Sequence, residues 1–517
     1  MTKNFKWLLL VSLTFVACNS DIEEDAVQEV PIVAGSADFS KYVALGNSLT
    51  AGFSDGALFI ASQNNAYPKL MADQFALAGG GDFKTPFMND NVGGLLLGGN
   101  PLPGFGPRLI FNGAAPVSLP NGVSTTEIGV PLAGPFNNLG VPGAKSFHLL
   151  APGYGNVAGL LNGTANPYFV RFRSSASTSV VADAMAQNPT FFSLWIGNND
   201  VLGHALTGAD GSNPITAEAL FTQAYNALVS TLTSNGAKGV VANIPNVNTL
   251  PHFKVVPFNA LDQANPAFGP QIPTLNATFA ALNAAYASIE ADNAATNASD
   301  RAIVFATTGK SPVVIHDESL PNLGALIAPK LVALGFPPSV AGLFANQFGQ
   351  SRQATPADLF VLPASTVIGT VNTAYFQALV AQGVPAATAG QLSVHGVTLP
   401  LADKWVLIPT EQAEIATATT LFNGIIKSAA DQAGLAFVDV NALMTQLANG
   451  GIRFNNFTMT SAFVQGGAFG LDGIHITARA NAYIANEFMK AINATYGSTL
   501  RMYKPGDFPI SYPASLQ

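Results

Sequence analysis

Tyr42-Val43-Ala44-Leu45-Gly46-Asn47-Ser48-Leu49-Thr50-Ala51-Gly52 starts as four apolar residues and ends in a glycine-flanked turn. A run that is apolar throughout, rather than at alternate positions, predicts a short strand buried on both faces, the pattern of parallel sheet. Residues 191–196, 239–244, 302–306 and 435–440 repeat it. Helical periods lie between and after these runs. Leu220, Phe221, Ala224, Tyr225, Leu228, Val229 and Leu232 form one apolar stripe, and Ile415, Phe422, Ile425, Ile426 and Ala429 form another. A third helix is predicted from Thr477 as N-cap to near Gly497, burying Ile484, Phe488 and Ile492. Strand and helix alternate, so the expected class is α/β, a parallel sheet covered by helices in three layers.

Two stretches break that rhythm and read as insertions, a Gly- and Leu-rich piece over about 93–111 and a longer one over about 307–401. The second contains Leu323, Leu326, Ile327, Leu331, Val332, Leu334 and Phe336, then Pro337-Pro338, then Val340, Leu343, Phe344 and Phe348. This predicts two short apolar helices broken by the prolines, placed to act as a lid. The double proline and polar Ser339, Asn346 and Gln347 argue against a membrane span there. No internal repeat divides the chain, so residues 37–497 read as one catalytic domain, with 498–517 as a tail.

Of 517 residues, 48% are hydrophobic and only 10% charged, with a net charge of −8. The chain should fold, with a surface built on Asn, Thr, Ser, Gln and Gly rather than on ions. It has no basic field to attract phosphates, which argues against nucleic acid as a partner. Lys3 and Lys6 precede an apolar run from Trp7 to Ala17, the form of a signal peptide over residues 1–17. The single cysteine, Cys18, follows Phe15-Val16-Ala17, which resembles the lipobox of bacterial lipoproteins and implies a lipid on Cys18. A lone cysteine has no internal disulfide to form. Residues 18–36 carry Asp21, Glu23, Glu24, Asp25 and Glu29 and are expected to be an acidic flexible tether. Together these imply export and lipid anchoring to the outer membrane of a Gram-negative bacterium. The acidic run also resembles the surface-export signal of some such lipoproteins.

Ser48 stands where a buried strand gives way to a turn, and sites of open α/β sheets lie outside the carboxyl ends of the strands. Three further segments supply what acyl transfer at a serine needs. Asp472-Gly473-Ile474-His475 lets a carboxylate accept from one imidazole nitrogen while the other faces a nucleophile. Gly197-Asn198-Asn199-Asp200 sets an amide donor at the end of a second strand. Asn138-Leu139-Gly140-Val141-Pro142-Gly143 gives a turn whose glycines allow a backbone N–H to approach a substrate.

In this order the segments resemble the four blocks of the SGNH (GDSL-like) hydrolase family. Ser48 matches the nucleophile, Gly143 the second-block glycine, Asn199 the asparagine of the third block, and Asp472 with His475 the final Asp-x-x-His. Asn47 departs from the family, which has Asp there, and the spacing from Ser48 to Gly143 is wider than usual. The resemblance implies a serine carboxylester hydrolase (esterase, lipase or acylhydrolase) working through an acyl-enzyme. His475 would be the base, Asp472 its orienting partner, and the oxyanion hole would come from Ser48, Gly143 and Asn199. The expected partner is an acyl ester, with lipids slightly favoured by the apolar insertion. The alternatives are a deacetylase of acetylated glycans and a surface-anchored binding lipoprotein without turnover. The remaining histidines, His148, His204, His252, His316 and His395, are scattered without ligand spacing, so no metal and no cofactor are expected. Gly309-Lys310-Ser311 lacks the first glycine of a phosphate loop.

Overall fold

The computed structural model describes residues 31–454 and 456–516. The expected signal peptide, Cys18 and the tether up to residue 30 lie outside the described residues. The last tether residues, 31–36, are hydrogen-bonded to the end of the final helix. The Ser36 N–H donates to the Tyr496 carbonyl at 2.8 Å, and the Val33 N–H to the Thr499 hydroxyl at 2.9 Å.

Five strands, β1 (Tyr42–Gly46), β2 (Asn138–Gly140), β3 (Phe191–Trp195), β4 (Lys238–Ala242) and β5 (Ala436–Val438), form one sheet in the order β5-β4-β3-β1-β2. Every neighbouring pair is parallel, as the uninterrupted apolar runs require. Around it lie α1 (Ser48–Ala51), α2 (Tyr67–Leu77), α3 (Asn198–Leu206), α4 (Glu218–Thr233), α5 (Ile272–Asp292), α6 (Gly324–Ala333), α7 (Pro338–Phe348), α8 (Pro409–Gln432) and α9 (Ala478–Tyr496). Alternate strand residues feed two separate cores. Tyr42, Ala44, Phe191 and Val240 pack with α2 and α9, whereas Val43, Leu45, Phe192, Leu194 and Val241 pack with α4 and α8. Helices therefore cover both faces. The Thr477 hydroxyl accepts from the Ala480 N–H at 3.1 Å and Gly497 closes α9 at φ +69°, as its sequence signals predicted.

Two expectations change. Residues 138–140, read as a turn, form the edge strand β2; three residues ending in glycine are too short to register as an apolar run. Residues 302–306, expected as a strand, join no sheet. Instead α5 supplies their hydrogen bonds. Asn283 accepts from the Ile303 N–H and donates to its carbonyl, both at 2.9 Å, and Asn276, two turns earlier, does the same for Phe305 at 2.8 and 2.9 Å. Two asparagines seven apart share one helix face, so they meet alternate residues of an extended chain. Ile303 and Phe305 are buried between, while Val304 points out. Asn283→Ala leaves two buried backbone groups unpaired, at about 1–3 kcal/mol each. Urea unfolding should show that loss, and unchanged stability would mean the clamp is idle.

The apolar insertion forms the two helices expected, broken at Pro337-Pro338. Their apolar residues Ile327, Leu331, Phe344 and Phe348 are buried in the main core, and the Tyr286 hydroxyl of α5 donates to the Phe348 carbonyl at 2.8 Å. Among the described residues no helix is long and apolar enough to cross a membrane.

Candidate active site

Register brings three loops to one level. Gly46 at the end of β1 pairs with Gly140 on one side and Trp195 on the other, so the turns carrying Ser48, Gly143 and Asn199 leave the sheet side by side. Gly46 itself admits no side chain, because a Cβ there would lie 2.1 Å from the Thr50 hydroxyl and 2.5 Å from the Trp195 carbonyl. Asn47 caps α1, its side-chain oxygen accepting from the Leu49 N–H at 3.0 Å. That is a task an aspartate would perform equally, so asparagine here keeps the turn capped. Ser48 opens this single helical turn and is 8% exposed.

Gly143 adopts φ +81° in the turn after β2, a conformation that suits glycine. The turn is fixed from both sides. The Asn166 amide donates to the Pro142 carbonyl at 2.8 Å, and the Asn199 amide donates to the Ala144 carbonyl at 2.9 Å. Of the two hydrogens on that Asn199 amide, one is thereby engaged and, among the described residues, the other has no acceptor. Asp200, the next residue, accepts from both the N–H and the hydroxyl of Ser146 at 2.8 Å and is completely buried, burial pushing its carboxyl up. It ties α3 to the Gly143 segment. The sequence displayed Asp200 in the same motif as Asn199 but gave no sign of its partner.

Asp472 and His475 form the expected couple. One Asp472 oxygen, Oδ1, accepts from the backbone N–H groups of Ile474 and His475, both at 2.9 Å. The other, Oδ2, meets His475 Nδ1 at 2.8 Å and also accepts from the Gly56 N–H at 2.9 Å. Burial alone would push the Asp472 carboxyl up, but the imidazole beside it and these N–H donors outweigh burial and hold it at about 2. An ionised carboxylate in this place makes Nδ1 the donor and leaves Nε2 to accept. On the other side His252 approaches the Asp472 carbonyl through Nδ1 at 3.1 Å, and its N–H donates to the Gly473 carbonyl at 3.1 Å.

The Ser48 turn and this loop are joined through residues 53–56. The Phe53 N–H donates to the Ser48 carbonyl at 2.9 Å and the Phe53 ring lies 4.5 Å from the His475 ring. Among the described residues, the Ser48 hydroxyl forms no hydrogen bond with His475. Ser48 and His475 are thus linked through Phe53, which hydrogen-bonds the carbonyl of one and packs against the ring of the other. An apolar void of about 70 Å³ lies behind them, lined in part by Leu49, Trp195, Met459, Phe469, Ile474 and Ile476. None of the insertion helices lines it.

Comparisons with family models, curated proteins and solved structures found no match to this chain.

A second grouping of titratable residues was not visible in the sequence. Glu318, Asp403 and Glu411 bring carboxylate oxygens within 4.8 Å of one another. It consists of carboxylates alone, and we assign no metal to it. Burial first, and the neighbouring acids next, push Asp403 up to about 7, while burial and the hydrogen bond with Glu318 push Glu411 up. A carboxyl raised in the folded state binds its proton more tightly than in the unfolded chain, so the grouping loses stability as pH rises from about 4 to above 7. Glu411→Gln keeps an acceptor for the Ile408 N–H, which Glu411 holds at 2.8 Å. The substitution should raise the thermal midpoint at pH 8 and leave it nearly unchanged at pH 4. Equal effects at the two pH values would contradict the shared origin.

Proposed function

We propose that this chain is a serine carboxylester hydrolase of the SGNH type. The observation that carries the reading is the contact of Asp472 with His475 Nδ1 at 2.8 Å on a loop hydrogen-bonded to the segment that follows Ser48. In this reading His475 Nε2 takes the Ser48 proton as the hydroxyl attacks an ester carbonyl, and Asp472 stabilises the imidazolium that results. The backbone N–H groups of Ser48 and Gly143 and the free amide hydrogen of Asn199 stabilise the oxyanion, each donor contributing roughly 10²–10³ in rate. The alcohol leaves with the proton from His475, and water then releases the acid from the acyl-enzyme. Cys18 anchors the enzyme by its lipid on the outer membrane, where acyl esters of lipids and glycans are within reach.

A short acyl group is the substrate we propose. Ser48 and His475 do not themselves line the apolar void, but their chain neighbours Leu49 and Ile474 do, and it holds only about 70 Å³. The insertion helices, which would have argued for lipid, commit Ile327, Leu331, Phe344 and Phe348 to the core, leave Leu326, Val332 and Leu334 exposed, and do not line the void. A series of p-nitrophenyl esters from acetate to palmitate, run on wild type and Ser48→Ala, tests both statements. Hydrolysis confined to wild type and fastest for acetate or butyrate supports a short-acyl esterase such as a glycan deacetylase. Fastest hydrolysis of palmitate would reject the short-acyl assignment. No turnover of any ester would reject the enzyme and leave a binding lipoprotein.

A further inference from the structure

Asp55 is a buried acid that the triad does not include. It lies in the Ser54-Asp55-Gly56 turn at φ +50°, left-handed for a residue with a side chain, and is 2% exposed. Such a conformation costs free energy and persists where surrounding contacts impose it. Here the contacts converge on the catalytic loop. Asp55 Oδ1 accepts from the Leu471 N–H at 2.7 Å, one residue before Asp472. The next N–H, of Gly56, donates to the Asp472 oxygen that meets His475. The Ser54 hydroxyl reaches the Ile476 carbonyl at 3.4 Å. Gly470 is forced by the same approach, since a Cβ there would sit 2.7 Å from Asp55 Oδ1.

We infer that Asp55 is a positioning residue for the reaction proposed above, holding the Asp472–His475 loop in register with Ser48 through the Leu471 N–H. Three consecutive residues thus grip the catalytic loop before, at and after its acid–base couple, and Ser48 lies on the same short stretch of chain. Misplacing a general base by about 1 Å costs on the order of 10²-fold in rate. The groups that face Asp55 are Asp472, His475, Arg108 and Tyr512, with His252 behind the loop. Burial pushes the Asp55 carboxyl up to about 6, against which the Leu471 N–H and Arg108 act.

The test compares Asp55→Ala with Asp55→Asn, because asparagine keeps an oxygen for the Leu471 N–H. The inference expects kcat for p-nitrophenyl acetate to fall about 10²-fold in Asp55→Ala with KM nearly unchanged, and Asp55→Asn to recover most of that rate at pH 8. Asp55→Asn should also lose any step in the pH–rate profile near 6 that belongs to Asp55. A second readout needs no turnover. The strongly deshielded proton NMR signal of a histidine Nδ1–H bonded to a carboxylate should be present in wild type and Asp55→Asn and lost in Asp55→Ala. Full activity or an unchanged signal in Asp55→Ala would overturn the inference, as would equal loss in both variants with a matching drop in thermal midpoint. If wild type hydrolyses no ester, the function proposed above fails, and the NMR comparison still decides whether Asp55 holds the loop.

Discussion

Ser48→Ala is expected to lower kcat/KM for p-nitrophenyl esters by about 10⁴-fold or more, while the fold is unaffected. The chemical reason is that His475 then has no hydroxyl to deprotonate, and attack falls to unassisted water. The structural reason for expecting an intact fold is local. The Ser48 hydroxyl forms no hydrogen bond with His475 among the described residues, and alanine suits the helical turn that Ser48 opens. Circular dichroism and the thermal midpoint should therefore match wild type. A loss of less than about tenfold would remove Ser48 from the role of nucleophile.

Asp472→Asn should be nearly as severe, by about 10⁴-fold in kcat, for a different reason. The carboxylate oxygens accept from four N–H groups: those of Ile474, His475 and Gly56, and Nδ1 of His475. An amide offers only one acceptor atom, so its NH₂ must face either the two backbone donors or the imidazole and Gly56. The second choice reverses the tautomer that leaves Nε2 free. Stability falls as well. A carboxyl lowered from 3.8 to about 2 contributes roughly 2–3 kcal/mol above pH 4, and this is lost as pH falls through the folded value. The variant should accordingly melt lower than wild type at pH 7, with the difference vanishing near pH 2. A variant with wild-type kcat would mean that His475 is oriented without Asp472.

The sheet was legible because its strands are buried on both faces. Apolar runs at 42–45, 191–196, 239–244 and 435–440 needed no knowledge of their neighbours, and β1, β3, β4 and β5 fall on them. The helix α5 was legible only in part. Ile272, Leu275, Phe279, Leu282, Tyr286 and Ile289 recur three and four apart on one buried face, but the alanines on the other faces flatten the contrast, and the asparagines serve the chain at 302–306 rather than solvent. The candidate site divides in the same way. Ser48, Gly143 and Asn199 stand just past strand ends, and Asp472 with His475 in the loop before α9, where a residue type already suggests a chemistry. Asp55, Asp200 and Asn166 shape the site by reaching residues distant in sequence, and nothing local distinguishes them from ordinary turn and cap residues. The fate of the insertion helices was hidden for a related reason, since an apolar stripe states that a face is covered without saying by what.

The asparagine clamp on residues 303–305 has a bearing on association between chains. An extended segment outside a sheet ordinarily offers a row of free N–H and C=O groups to which another chain can add as a strand. Here the N–H of Val304 is taken by the Gln353 side chain at 3.1 Å and that of Ala306 by the Ser311 hydroxyl at 2.9 Å, beside the two already held by α5. Four successive donors are thus occupied by side chains of the same molecule, and the segment is closed to strand addition although it lies at the margin of a large apolar insertion.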